Sequence, residues 1–299
     1  MVKRDKQKQQ KHTAGKGKKY AVITYIIVIL LAFIFAYPFW HTAVLSFSDR
    51  AFANTAGFKF WPQNISLDAY EQAFASGTIF TGYYNTIWRA VIGTLITLVV
   101  TFAASFSMIH KEIPGWKFIN FMIIFTMYFG GGVVPTYLNL KELGLLNTRW
   151  VLVLPTAAGA WNFMVMRTFI KGIGREMEEA ARIDGAGVLQ TALRIYLPLS
   201  KPTIAVIGLW SFVNHWNAWF DSLTYANKSE LMVLQTVVRR LIDQGNEYSQ
   251  SGGSASMADM TPQTIRAATV IICTVPILLG YPFIQKYLVK GTMVGAVKG

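Results

Sequence analysis

A single cysteine, Cys273, stands among the 299 residues. That excludes an intrachain disulfide and any cysteine-built metal site, and leaves Cys273 as a small filler inside an apolar run. The four histidines, at 12, 41, 110 and 215, stand at no metal-ligand spacing, so no bound metal is expected. Charged residues make up only 14% of the chain, where a soluble domain carries about a quarter. Acids are the scarcer sign, 15 against 28 Lys and Arg, and nearly all of them stand in polar loops or tails. A proton- or sodium-coupled carrier usually needs carboxylates within the membrane, and Asp221, at the end of one apolar run, is the near exception. The phosphate loop GxxxxGK(S/T) is missing, and "GKGKK" at 15–19 does not supply it. HExxH, GxSxG and paired carboxylates are missing too, which leaves no case for an intramembrane enzyme.

What fills the sequence is apolar: 53% of residues are hydrophobic, in runs that approach or exceed the roughly 18 needed to cross a bilayer. The expectation is an all-α polytopic membrane protein with six transmembrane helices, at Tyr20–Phe47, Asn85–Ile109, Lys117–Leu140, Trp150–Ile170, Thr203–Leu223 and Ile265–Val289. The runs are too long and too uniformly apolar for barrel strands. The first is too long for a signal peptide and lacks a cleavage site.

Basic residues orient the chain. If the amino terminus is inside, inner segments hold 18 Lys and Arg and outer segments seven, so both termini are placed in the cytoplasm. Arg89, Arg167 and Arg266 fall near span ends and are expected to reach the headgroups. Residues 1–19 form a basic tail, expected to be disordered and to lie near anionic lipid rather than nucleic acid. A permease domain at 20–289 follows, with a polar inner loop at 170–202 and an outer loop at 224–262, then an inner tail at 290–299. "MYFGGGVVPTY" in the third run carries three glycines and Pro135, which serve either close helix packing or a kink in a pathway.

The inner loop contains the odd stretch "EEAARIDGAGVLQTALRIYLPLSKP" (178–202). Glu176, Glu178 and Glu179 suit the positive end of a short helix. Ala180 and Ala181 make a smooth face, Asp184-Gly185 a turn, and "VLQTALRIYL" a second amphipathic stretch that stops at Leu197-Pro198. Ser200 and Pro202 are placed to start the next span. This is a helix–turn–helix on the inner face, suited to receive a push from a soluble partner, or an ordinary amphipathic loop.

The spacing resembles the EAA motif of ABC importer permeases: EAA, two residues, DGA, eight residues, then I-x-LP. Every motif position is filled, by Glu179, Ala180, Ala181, Asp184, Gly185, Ala186, Ile195, Leu197 and Pro198. "YPFWHTAVLSFSD" (37–49), "FGGGVVPTYLNLKELGLLNT" (129–148), "MRTFI" (166–170), "HWNAWFDSL" (215–223) and "LVKGTMVGAVKG" (288–299) are similar to carbohydrate-importer permeases, most of all the oligosaccharide subgroup of Gram-positive bacteria. The resemblance implies a type I importer permease fold and a non-enzymatic transport subunit in the bacterial cell membrane. It implies a heterodimer with a homologous second permease, two ATPase subunits that use ATP and Mg, an extracellular solute-binding lipoprotein and a sugar substrate. The chain itself binds no cofactor. In related permeases the loop before the last span probes the binding protein and the tail reaches the ATPases. On this reading Glu179 pairs with a basic group on the ATPase, Ala180 and Ala181 give the close fit, Asp184 and Gly185 fix the turn, and Ile195, Leu197 and Pro198 anchor the second helix.

Sugars are gripped by aromatic faces and hydrogen bonds. In the fifth run Asn214, Asn217 and Asp221 are expected on one helical face, with His215 and Trp219 as an i, i+4 pair beside it. Trp161 and Asn162 in the fourth run are similar candidates. Interfacial anchoring and helix–helix hydrogen bonding explain the same residues. Two other functions stay open: an ABC importer permease for a non-sugar solute, and a stand-alone secondary carrier, which should work without partners and carry mid-membrane charges.

Overall fold

The structure, a computed structural model, describes residues 2–75, 77–250 and 263–279, with side chains from 21 onward and up to 243 before the last segment. The end of the expected sixth span, the tail at 290–299 and residues 251–262 of the outer loop lie outside the described residues. All regular structure described is helical. The chain forms two compact units, Met1–Ala73 with Gln244–Ile271, and Phe74–Asp243 with Ile272–Gly299.

In the first unit, α1 runs Val2–Ser46. The basic tail is therefore helical where composition alone predicts disorder. Lys, Gln and Arg are good helix formers, and a helix already nucleated in the apolar stretch propagates backward without a new nucleation cost. The apolar part, Ala21–Ser46, has 26 residues, and none of its most apolar window is buried within the chain. Such a surface is stable only against lipid or another subunit. The loop after α1 folds back on its end. Asp49 Oδ1 accepts from the Phe52 amide at 2.9 Å, starting α2 (Arg50–Ala53). Lys59 Nζ donates to the Phe52 and Ala53 carbonyls at 2.6 and 2.7 Å, and burial lowers its pKa. The Lys59 amide donates to Tyr37 Oη at 3.0 Å. α3, Asp68–Ala75, follows.

The second unit is organised by α4, Thr78–Ser107, about 45 Å long at 1.5 Å per residue and more than enough for a bilayer. α5 (Trp116–Tyr128) and α6 (Val133–Glu142) follow. They interrupt the expected third span. Gly130 and Gly131 are exposed and Gly132 takes φ +83°, so the glycines break the helix rather than pack it, and Pro135 falls in the first turn of α6, where its missing N–H costs nothing. The fourth span opens with two 3₁₀ turns, Arg149–Leu152 and Leu154–Thr156, before α7, Ala160–Ile173. α8 (Glu176–Ile183) and α9 (Val188–Leu199) form the polar loop that the sequence reading places inside. α9 meets α10 (Lys201–Asn217) at a bend of 78°. The fifth span then breaks at Ala218, which is extended, and resumes as α11, Phe220–Tyr225. α12 (Leu234–Gln250) and α13 (Gln263–Leu279) complete the described elements.

Only Ala21–Ser46 and Thr78–Ser107 are long and apolar enough, as single described helices, to cross a membrane. The expected third, fourth and fifth spans are interrupted by glycine, proline or extended residues, which continuous hydropathy does not register, and the sixth is described only to Leu279. α7 and α10 pack along α4. A small residue allows the α10 contact, since a Cβ on Gly93 would overlap the His215 ring, and another admits α12, since a Cβ on Gly82 would meet the Leu234 backbone at 3.0 Å. Two apolar clusters hold the ends. One joins Phe102, Phe106 and Ile109 to Met166, Ile170, Tyr196 and Ile207. The other joins Leu140, Val151 and Leu152 to Tyr225, Leu231 and Val233.

Candidate functional site

The inner loop leaves α7 through Gly174, at φ +92°. Glu176, Glu178 and Glu179 occupy the first turn of α8, where the helix dipole favours anions. The helix ends in a Schellman motif. Gly185 sits at φ +79°, its amide donates to the Arg182 carbonyl at 3.0 Å, and the Ala186 amide donates to the Ala181 carbonyl at 2.9 Å. α9 then contains a π-turn at Ala192–Tyr196 immediately before Pro198, where proline cannot continue the α-helical bonding.

The loop is clamped to the rest of the unit at its base. Tyr196 Oη donates to the Gly174 carbonyl at 3.0 Å, joining the end of α9 to the start of the loop. Burial raises the Tyr196 pKa, and the nearby Glu178 adds to this, so the phenol stays a donor. Glu178 points inward: both its carboxylate oxygens lie 3.0 Å from His110 Nε2, and Arg182 Nη2 donates to Oε1 at 3.0 Å. Arg175 reaches Glu112 at 3.4 Å across exposed surface, a contact worth little by itself. Between α4, α8 and α9 lies a groove of about 1160 Å³, with Phe102, Phe106, Leu189 and Leu193 in its walls and Glu179 and Arg182 at its edge.

The motif residues divide by exposure. Glu179, Ala180, Asp184, Gly185 and Pro198 face out; Ala186, Ile195 and Leu197 are half-buried; Ala181 is buried. The smooth outward face expected of the alanine pair is therefore Ala180 alone, because one helical step of about 100° carries Ala181 to the inside. Ile195 and Leu197 pack on the cluster of Phe102, Met166 and Tyr196. The inward contact of Glu178 with His110, and the part of Tyr196, were missed in the sequence. The available signal was that Glu178, Ala181 and Arg182 share one helical face.

At the other end of α4, Arg89 is 1% exposed and pairs with Asp221. It does not reach the headgroups as its place near a span end had predicted, because Asp221 and the broken helix supply acceptors inside the protein. Arg89 Nη1 donates to Asp221 Oδ1 at 3.0 Å and to the freed Ala218 carbonyl at 3.2 Å, and Nε donates to His215 Nδ1 at 3.4 Å. The break at Ala218 undoes the expected face. Asn214 and Asn217 belong to α10 and are exposed, Asp221 belongs to α11, and His215 and Trp219 are separated by the break, so they make no i, i+4 pair. His215 and Asp221 are committed to Arg89. Trp219 lies under the guanidinium of Arg239, 3.7 Å from its ring centre. In α7 Trp161 is exposed and Asn162 half-buried.

Residues 73–294 match the family of binding-protein-dependent transport system inner membrane components. The chain belongs to that family. It is thus a membrane component of a transporter that works with a binding protein. It is 33% identical over 287 residues to the polygalacturonan/rhamnogalacturonan transport system permease protein YtcP of Bacillus subtilis, covering 95% of this chain and 100% of that one. Over 288 residues it is 35% identical to the protein LplC of Bacillus subtilis, covering 96% and 98%. A chain of a bacterial ABC transporter involved in import of the acidic polysaccharide alginate superposes with a TM-score of 0.81 at 30% identity, covering 90% of this chain and 96% of that one. The broken helices are therefore those of an ABC permease fold.

Proposed function

We propose that this chain is one of two homologous permease subunits of an ATP-driven importer that takes up an oligosaccharide handed over by an extracellular solute-binding lipoprotein. The observation that carries the reading is the inner loop. It presents Glu179, Ala180 and Asp184 outward while Glu178, Tyr196 and Ala181 fix it to α4 and α7. A soluble ATPase seated on α8 moves the ends of these helices as one piece, which converts closure around ATP and Mg into a change of access. The transport relatives among sugar-polymer permeases supply the substrate class.

On this reading the interrupted segments are crossings. Together with α1, α4 and α13 they make six, with both termini in the cytoplasm of a Gram-positive cell. Broken helices fit this role, since irregular backbone at membrane depth is tolerated where it lines a pathway. The loop at 224–262 receives the binding protein, the tail at 290–299 reaches the ATPases, and Asn214, Asn217 and Trp219 lie toward the path.

Co-purification tests the reading. The tagged chain, gently extracted, should bring a second permease, an ATPase and a solute-binding lipoprotein. Recovery of the chain alone, with solute movement in vesicles lacking ATP, would establish a stand-alone carrier instead.

A further inference from the structure

Two exposed arginines of the second unit stand on aromatic rings and pair with no carboxylate among the described residues; a third, Arg167 on Trp116, is buried and is spent on Asn120. The Arg239 guanidinium lies 3.7 Å from the centre of the Trp219 ring, and that of Arg149 lies 4.9 Å from the centre of Tyr84. Both arginines are exposed. The four ion pairs among the described residues use neither. The stack on Trp219 is held in place. The Trp219 carbonyl accepts from the Thr236 hydroxyl at 3.1 Å, tying the break in the fifth span to the first turn of α12, three residues before Arg239. Asp221, the acid nearest in sequence to Trp219, is consumed by Arg89 and does not compete for Arg239.

A neutral sugar is gripped through an open aromatic face. Here a cation covers a face of each ring, and a stacked guanidinium keeps its in-plane N–H groups outward. That fork matches a carboxylate in a bidentate manner, and stacking removes much of the entropy cost of holding the side chain still.

We infer that the oligosaccharide carried is acidic, a uronate, and that Arg239 on Trp219 receives its carboxylate as it enters the permease. Arg149 on Tyr84 offers a second such position. The inference rests on the importer reading above. It agrees with the acidic sugar polymers named for two of the relatives, but stands on the stacked arginines.

The test compares uptake of three trisaccharides by cells carrying the complete importer: trigalacturonate, its methyl ester, and maltotriose. The ester removes the charge and keeps the rings. Wild type should take up the acid in preference to the ester. Arg239→Gln should lower the acid-to-ester uptake ratio about tenfold, the size of one charge-assisted hydrogen bond. Arg239→Lys, which keeps charge and loses the fork, should fall between. The binding protein is the same in all strains, so a change of ratio belongs to this chain. Preference for maltotriose or the ester, or equal slowing of acid and ester by Arg239→Gln, overturns the inference and leaves the sugar importer standing. Uptake of no saccharide, with the chain inserted at wild-type level, overturns both.

Discussion

Glu178 and His110 meet at 3.0 Å, with one imidazole nitrogen facing both carboxylate oxygens. The pair joins α8 to the turn that follows α4, and the other imidazole nitrogen lies 3.3 Å from the Ser107 carbonyl. On the importer reading proposed above, this contact would carry a push on α8 to α4. Glu178→Ala should cost about 2 kcal/mol of local stability, the scale of buried charge-assisted hydrogen bonds. It should also separate ATP hydrolysis from uptake. The measurement is ATPase activity and sugar uptake in the same reconstituted complex. Hydrolysis kept with uptake lost is expected, while both retained would remove the pair from the coupling path.

Gly185 offers a cleaner test of the turn. Its φ is +79°, yet a Cβ there would meet nothing within 4 Å. Substitution is therefore opposed by backbone strain alone, on the order of 1–2 kcal/mol for an ordinary residue. Uptake should fall in the order Gly, Asn, Ala, Val, because Asn tolerates the left-handed region and Val resists it most. Membrane insertion should stay constant across the series. A flat series would show that the turn does not need this conformation.

The helical class and the permease family could be read from the sequence, since apolar runs and a fixed-spacing motif are both local patterns. Burial direction within the motif was harder. Glu178 and Glu179 are neighbours of one type, and only helical phase sends one inward to His110 and the other outward. The breaks were hidden for a different reason. Phe129–Gly132 and Ala218–Trp219 are apolar or small, so a hydropathy reading passes across them. Arg89 and Asp221 lie 132 positions apart, and nothing local joins them, although an arginine and an acid in different spans are each other's natural partners.

Glu179 is the outward carboxylate of the same turn. Glu179→Lys breaks no side-chain contact within the chain that the structure shows, so its cost to the thermal stability of the extracted protein should be confined to the reversed helix-dipole interaction in the first turn of α8, about 1 kcal/mol. If Glu179 faces a basic group of the ATPase, the substitution places like charges together at the interface, and uptake should be abolished. A charge-reversing partner substitution on the ATPase should restore it. Normal uptake by Glu179→Lys would take Glu179 out of the interface.

Arg89 and Asp221 allow the buried network to be measured rather than inferred. Arg89 is almost fully buried and Asp221 one-fifth exposed. Removing either partner leaves the other charge poorly compensated, which for a buried pair costs about 3–5 kcal/mol, lessened here by the partial exposure of Asp221. Arg89→Ala also releases the Ala218 carbonyl and His215 Nδ1, so it should be the worse of the two single substitutions. Asp221→Ala leaves the cation in place with those two acceptors. The double variant removes both charges together, and its loss should be smaller than the sum of the single losses by at least about 1 kcal/mol. Denaturation of the detergent-extracted protein, followed by tryptophan fluorescence, measures all three. Strict additivity would mean that the pair is not coupled and that Arg89 serves the broken helix end alone.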